Sequence, residues 1–171
     1  FKSFLPKLIY NDTFSDGYEL RTKDFFFLED GSTGILMEKY KPESQYTAPK
    51  TKDLYYAYTD KDFKLKEVKV FEKEKSKWIN DDYLFSQYLN DGKDVVFFYR
   101  DLQKDDKTKE KNWKLFINTL IEGNFKQEEV QISEKDSYTI LPYVGKEGYI
   151  LLREINEKEK FNKIRLERLN Y

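Results

Sequence analysis

The chain has 171 residues, 37% of them charged, and its 31 Lys and Arg nearly cancel 32 Asp and Glu, for a net charge of -1. That balance argues against nucleic-acid binding through phosphate contacts, which needs a basic excess. Cys and His are both absent, which removes thiol nucleophiles, Cys/His zinc sites, disulfides and imidazole acid–base chemistry.

The length suits a single domain, residues 1–171, with its own core. An aromatic content of 18% marks a folded, β-rich chain, since disordered chains of this charge are poor in aromatics. No apolar run approaches the roughly 20 residues that span a bilayer, so no membrane span is expected. The chain opens on Phe1, not Met, which favours an upstream leader and hence a periplasmic, cell-envelope or secreted setting.

Along the chain, "FLPKLIY" (4–10) reads as a strand, and Pro6 suits it to a sheet edge. From Asp24 onward the pattern repeats. "DFKLKEVKVFEK" (62–73) lies over "NFKQEEVQISEK" (124–135) with Phe63, Val68 and Val70 on Phe125, Val130 and Ile132. "STGILMEKY" (32–40), "GKDVVFFYR" (92–100) and "KEGYILLRE" (146–154) align in the same way. Fixed-period similarity of this kind marks a repeat architecture. It predicts three antiparallel hairpin modules: 24–71, 83–132 and 138–171.

First strands read "DFFFLE" (24–29), "YLFSQYL" (83–89) and "YTILPYV" (138–144). Gly-bearing corners follow, and such corners between apolar runs signal hairpins. Second strands, "ILMEKY", "VVFFYR" and "YILLRE", are nearly continuous in apolar residues, which implies burial on both faces. Third strands mix apolar and polar residues: "DLYYAYT" (53–59), "NWKLFINTL" (112–120) and "NKIRLERL" (162–169). Fourth strands, "FKLKEVKV" and "FKQEEVQI", are charged at almost every second place, as protected edge strands are. The third module ends without a fourth strand, a place that the N-terminal segment 1–23 is expected to fill. A competing reading of 72–89 as a short helix rests on some 3.6-residue periodicity.

Over residues 88–132 the pattern resembles a TolB-like β-propeller repeat: Asp91-Gly92-Lys93, the apolar strand Val95–Phe98, Arg100 and Asp101, a Trp113-led strand, and Glu122-Gly123 with Phe125. The match is partial over 24–71 and thin over 138–171. The resemblance implies an all-β fold of propeller-like blades and a binding platform for protein contact. Three modules are fewer than the four to eight blades of closed propellers. The chain is therefore expected to be part of a larger propeller, to assemble with another copy, or to form a β-sandwich or barrel instead.

Asp91 reads as a turn residue, because Asp-Gly suits the type I′ corner; Asp30-Gly31 repeats it. Calcium ligation would need oxygens at alternating positions before the Gly, and no metal site is expected. Carboxylate pairs for glycoside hydrolysis are diluted among lysines, as in "EKEKSK" (72–77), which reads as solvated surface. No Gly-rich elbow surrounds any Ser, so no catalytic residue and no cofactor are assigned. Tyr55, Tyr56 and Tyr58 read as packing residues. The loops 41–52, 102–111 and 155–161 and the connector near 78 would share one face, with Tyr46, Trp78, Asp105 and Phe161 as candidate binding residues. The expected function is non-catalytic protein binding through this loop face or an open sheet edge. The alternative is a carbohydrate-binding or glycoside-hydrolysing domain.

Overall fold

The computed structural model describes residues 8–10, 13–74, 76–77, 82–104, 109–133 and 138–171. All regular structure in it is antiparallel β, and the contacts group into two compact units, Phe1–Asp81 and Asp82–Tyr171. The first unit holds one module and the second unit two.

In the first unit, β1 (Leu8–Tyr10), β2 (Thr13–Phe14), β3 (Glu19–Phe27), β4 (Thr33–Lys41), β5 (Lys50–Thr59) and β6 (Leu65–Phe71) pair in sequence order, and β7 (Ser76–Lys77) pairs with the start of β5. Residues 8–10 thus belong to the first sheet, as partners of β2, where the sequence had offered this segment to the third module. The central strands are buried as their apolar runs require: Leu36, Leu54 and Tyr56 are fully enclosed. On the other face Phe14, Tyr18, Met37, Tyr55 and Ala57 form a core. Lys39 closes over it with its ammonium 4.6 Å from the Phe14 ring centroid and 2.8 Å from Asp16 Oδ2. Polarity rises toward β6, which is the sheet edge, as its alternating charges predict.

Lys73 departs from that picture. The run "EKEKSK" reads as solvated, yet the Lys73 ammonium is buried, 3.3 Å from Glu38 Oε1, while Lys23 lies 3.7 Å from Glu38 Oε2. The Glu38 carboxylate is itself buried on β4, and a buried carboxylate needs cations beside it. Tertiary demand from Glu38 overrides the local solvated pattern.

The hairpin corners differ by loop length. Leu89 pairs with Asp94, and the four-residue loop between them holds three left-handed residues in a row, Asn90 (φ 52°), Asp91 (φ 57°) and Gly92 (φ 85°), closed by Gly92 N–H to Leu89 C=O at 3.2 Å and Lys93 N–H to Asn90 C=O at 3.3 Å. It is longer than the two-residue type I′ loop that Asp-Gly predicts. At 28–32 only Gly31 is left-handed, and Asp30 accepts the Ser32 amide at 2.9 Å. This is the three-residue loop with a bulge, not the two-residue one. The turn at 60–64 copies it with Phe63, at φ 56°, in the glycine's place and its ring exposed.

Asp60 holds that last turn. Its Oδ1 accepts the amides of Asp62 and Lys64, and its Oδ2 lies 2.8 Å from Lys66 Nζ. The Lys66 side chain first, then the Lys64 amide, hold its carboxyl below the usual range. A carboxyl depressed in the folded state stabilises above its unfolded pKa, about 3.9, and that contribution is lost as pH falls through the lower folded value. Protection of the Asp62 and Lys64 amides, relative to their intrinsic exchange at each pH, is therefore expected to fall below about pH 4, and Asp60→Asn to remove that loss of protection. Protection in the native chain that stays constant across this window would rule the carboxylate out as the turn's clasp.

In the second unit, β8 (Tyr83–Leu89), β9 (Asp94–Lys104), β10 (Lys111–Ile121) and β11 (Asn124–Gln131) form one sheet in the order β11-β10-β9-β8. A three-stranded sheet follows: β12 (Tyr138–Val144), β13 (Tyr149–Asn156) and β14 (Phe161–Arg168). The helical reading of 72–89 fails for 83–89, which pair with β9; the Phe85 ring centroid lies 4.6 Å from that of Phe98, the planes tilted by 34°. The two sheets enclose a shared core of Leu89, Val96, Phe98, Leu115, Ile140, Ile150 and Leu152. Asp94 joins two corners, accepting from Asn90 Nδ2 at 2.5 Å and from the Glu122 amide at 2.8 Å. Burial in β9 is nearly continuous, but β13 buries only alternate residues; its apolar run leaves one face open.

Candidate functional site

β14 is an exposed edge of the second unit, with six of its eight residues open to solvent. The register places Leu141, Arg153 and Ile164 in one row across the sheet, and Tyr143, Leu151 and Leu166 in the next. These rows form the face turned away from the shared core. Ile164 is 62% exposed and Leu166 49%, although equivalent third strands β5 and β10 bury Tyr56 and Leu115 almost completely. An edge strand with exposed aliphatic residues is what proteins otherwise suppress, because its free N–H and C=O groups template further pairing.

On the inner side, a cavity of about 240 Å³ opens between the sheets, lined by Leu115, Ile117, Val130, Ile150, Leu152 and Leu169. Its rim is charged, from Glu128 on β11 and Arg165 and Glu167 on β14. Arg165 lies 2.7 Å from Glu154 and 2.8 Å from Glu167, and Lys126 lies 2.6 Å from Glu128. Lys126 also donates to the Asn170 carbonyl at 3.2 Å. The exposed pairs Arg165–Glu167 and Lys126–Glu128 contribute roughly 0–1 kcal/mol each, whereas the Glu154 carboxylate is largely buried.

A second cleft, of about 360 Å³, lies on the β12 side and includes Leu84, Arg100, Trp113, Pro142 and Tyr143. The Arg100 guanidinium sits 5.0 Å from the Trp113 ring centroid, a cation–π contact that occupies one face of the indole. No carboxylate is among the described residues that line this cleft.

Of the candidate residues read from the sequence, the structure describes Tyr46 and Phe161. Tyr46 caps a tight turn between β4 and β5, 87% exposed, with Ser44 Oγ 2.8 Å from Thr47 Oγ1 behind it. Phe161 begins β14 and is partly exposed at 39%. Its loop is pinned by Asn156 Oδ1, which accepts the Lys158 and Glu159 amides. Tyr46 belongs to the first unit and Phe161 to the second. Trp78 and Asp105 lie outside the described residues. Of the tyrosines read as packing residues, Tyr55 and Tyr56 are buried and Tyr58 is half-buried. Burial pushes the Tyr55 hydroxyl up to about 12. Ile164 and Leu166 escaped the sequence reading, although the run "KIRLER" does alternate aliphatic with charged residues as a half-covered strand would.

No protein-family model matches the chain, and neither a curated protein nor a solved structure does.

Proposed function

We propose that the protein is a non-catalytic binding module that meets a protein partner along the β14 edge of its second unit. The observation that carries this reading is the exposed aliphatic pair Ile164 and Leu166 on a strand with no described neighbour on its outer side. Edge strands recognise extended segments through backbone hydrogen bonds, with alternate side chains giving specificity. The TolB-like pattern is kept for the hairpin module itself. For the second unit, the sandwich or barrel alternative is favoured. The repeat aligns Val96 and Phe98 with Ile150 and Leu152, and all four lie in one core. Modules that meet like face to like face make two layers, whereas blades around a ring would meet by opposite faces.

The test is a photo-crosslinking residue placed at position 164, with a second variant carrying it at position 46 as the loop-face comparison. The expected result is a discrete protein adduct from position 164 and little from position 46. An adduct from position 46 alone would move the partner to the loop face, and no adduct from either would sink protein binding. The carbohydrate reading would rest on the cleft that includes Trp113 and Tyr143.

A further inference from the structure

The first two modules each end in a fourth strand, β6 beside β5 and β11 beside β10. In the third, β13 flanks β14 on one side and no described strand flanks it on the other. We infer that β14 takes up an extended peptide segment as the missing fourth strand of this module. The segment is of the Lys/Glu-alternating, Val/Ile-ended kind seen in β11, and its inward aliphatic side chains fill the cavity. This deepens the reading above and rests on it.

The cavity identifies what the segment must carry. Its lining comes from β10, β11 and β14, together with Ile140 on β12 and Ile150 and Leu152 on β13, so a strand added to the free side of β14 would lie along its β14 border. In β11 and just beyond, Val130 and Ile132 turn toward the space between the sheets, as does Glu128 at the rim. A strand of the same pattern would send two aliphatic side chains into the cavity and keep its charged residues at the rim. On the outer side it would cover Ile164 and Leu166 with cross-strand partners, the contacts through which sheets gain most of their stability.

Charge selects the same partner. Within β14 itself, residues 161–168 carry Lys163, Arg165 and Arg168 against one carboxylate, Glu167, and although Arg165 is already paired with Glu154 and Glu167, the strand keeps a basic excess. A strand such as "NFKQEEVQ", with one lysine to two glutamates, complements that excess, and opposite charges directly across an antiparallel pair are favourable. The segment is thus an amphipathic, acid-leaning strand, not a folded surface.

The probe is a synthetic peptide, Asn-Phe-Lys-Gln-Glu-Glu-Val-Gln-Ile, copied from residues 124–132, against a scrambled peptide of the same composition. Each is added to the full 171-residue chain, and amide exchange is read at Ile164–Arg168. The expected result is at least tenfold slower exchange in β14 with the ordered peptide and none of this with the scrambled one. Ile164→Lys with Leu166→Lys should abolish the effect while exchange in β9 and β13 stays native, because both side chains are exposed. Equal protection by the scrambled peptide, or full protection in the double variant, would overturn the inference. So would protection of β14 that grows with protein concentration alone, with a mass of twice 20.8 kDa, since a second copy would then be the occupant. A protein adduct from position 164 with no peptide protection would reject the strand pattern and leave protein binding standing.

Discussion

Lys73→Met is expected to destabilise the first unit by about 3–5 kcal/mol, the range for removing one partner of a buried ion pair. The reason lies with the group left behind. Glu38 has 1% of its side chain exposed, with Lys73 Nζ at 3.3 Å from one carboxylate oxygen and Lys23 Nζ at 3.7 Å from the other. Methionine fills the space of the lysine stem but supplies no charge, so the carboxylate keeps only the longer contact. The lower end of the range is favoured because Lys23 remains. Glu38→Gln in the Lys73→Met background should recover part of the loss, since a neutral amide costs far less to bury than a carboxylate. Urea unfolding of the four proteins in the double-mutant cycle measures both numbers. A midpoint unmoved by Lys73→Met would mean that the ammonium is solvated and the pair contributes nothing.

That pair also shows where the sequence is silent. The strand order within each module was legible, because hairpin corners and two-residue alternation are local signals. "YLFSQYL" is β8, residue for residue. Edge strands β6 and β11 were legible for the same reason, as charge at alternate positions is the mark of a wet face. Lys73 was not, because a lysine inside "EKEKSK" looks the same whether it is solvated or reaches inward to a glutamate 35 positions earlier in the chain. The site was equally hidden. Tyr46 announced itself as a loop aromatic. Ile164 and Leu166 looked like ordinary half-buried strand residues, and only the sheet order reveals that nothing described lies beside them. Exposure at an edge depends on which neighbour is missing, and local sequence does not carry that.

Gly145→Ala is expected to be the most damaging small substitution in the second unit, at about 3 kcal/mol. Gly92→Ala, in the other corner of the same unit, should cost only about 1–2 kcal/mol. The two glycines are constrained in different ways. At Gly92 a Cβ meets nothing within 4 Å, so the only cost is a left-handed φ of 85°. At Gly145 it would sit 2.6 Å from the Tyr149 carbonyl oxygen and 3.0 Å from its carbon. Those atoms are backbone at the start of β13, and no side-chain rotation relieves the clash. The strand must shift instead, and Val144 pairs with Ile150 at that point. Ile150 is buried in the shared core and lines the cavity, so a shift there disturbs both layers. It also moves β14, whose register is set, among the described strands, by β13. Gly145→Ala should therefore lower the unfolding midpoint and raise amide exchange along β14, whereas Gly92→Ala should leave β14 unchanged. Equal effects of the two substitutions would show that corner conformation, and not the close approach at Tyr149, governs this unit. The β14 edge would then not depend on the packing of the β12–β13 hairpin.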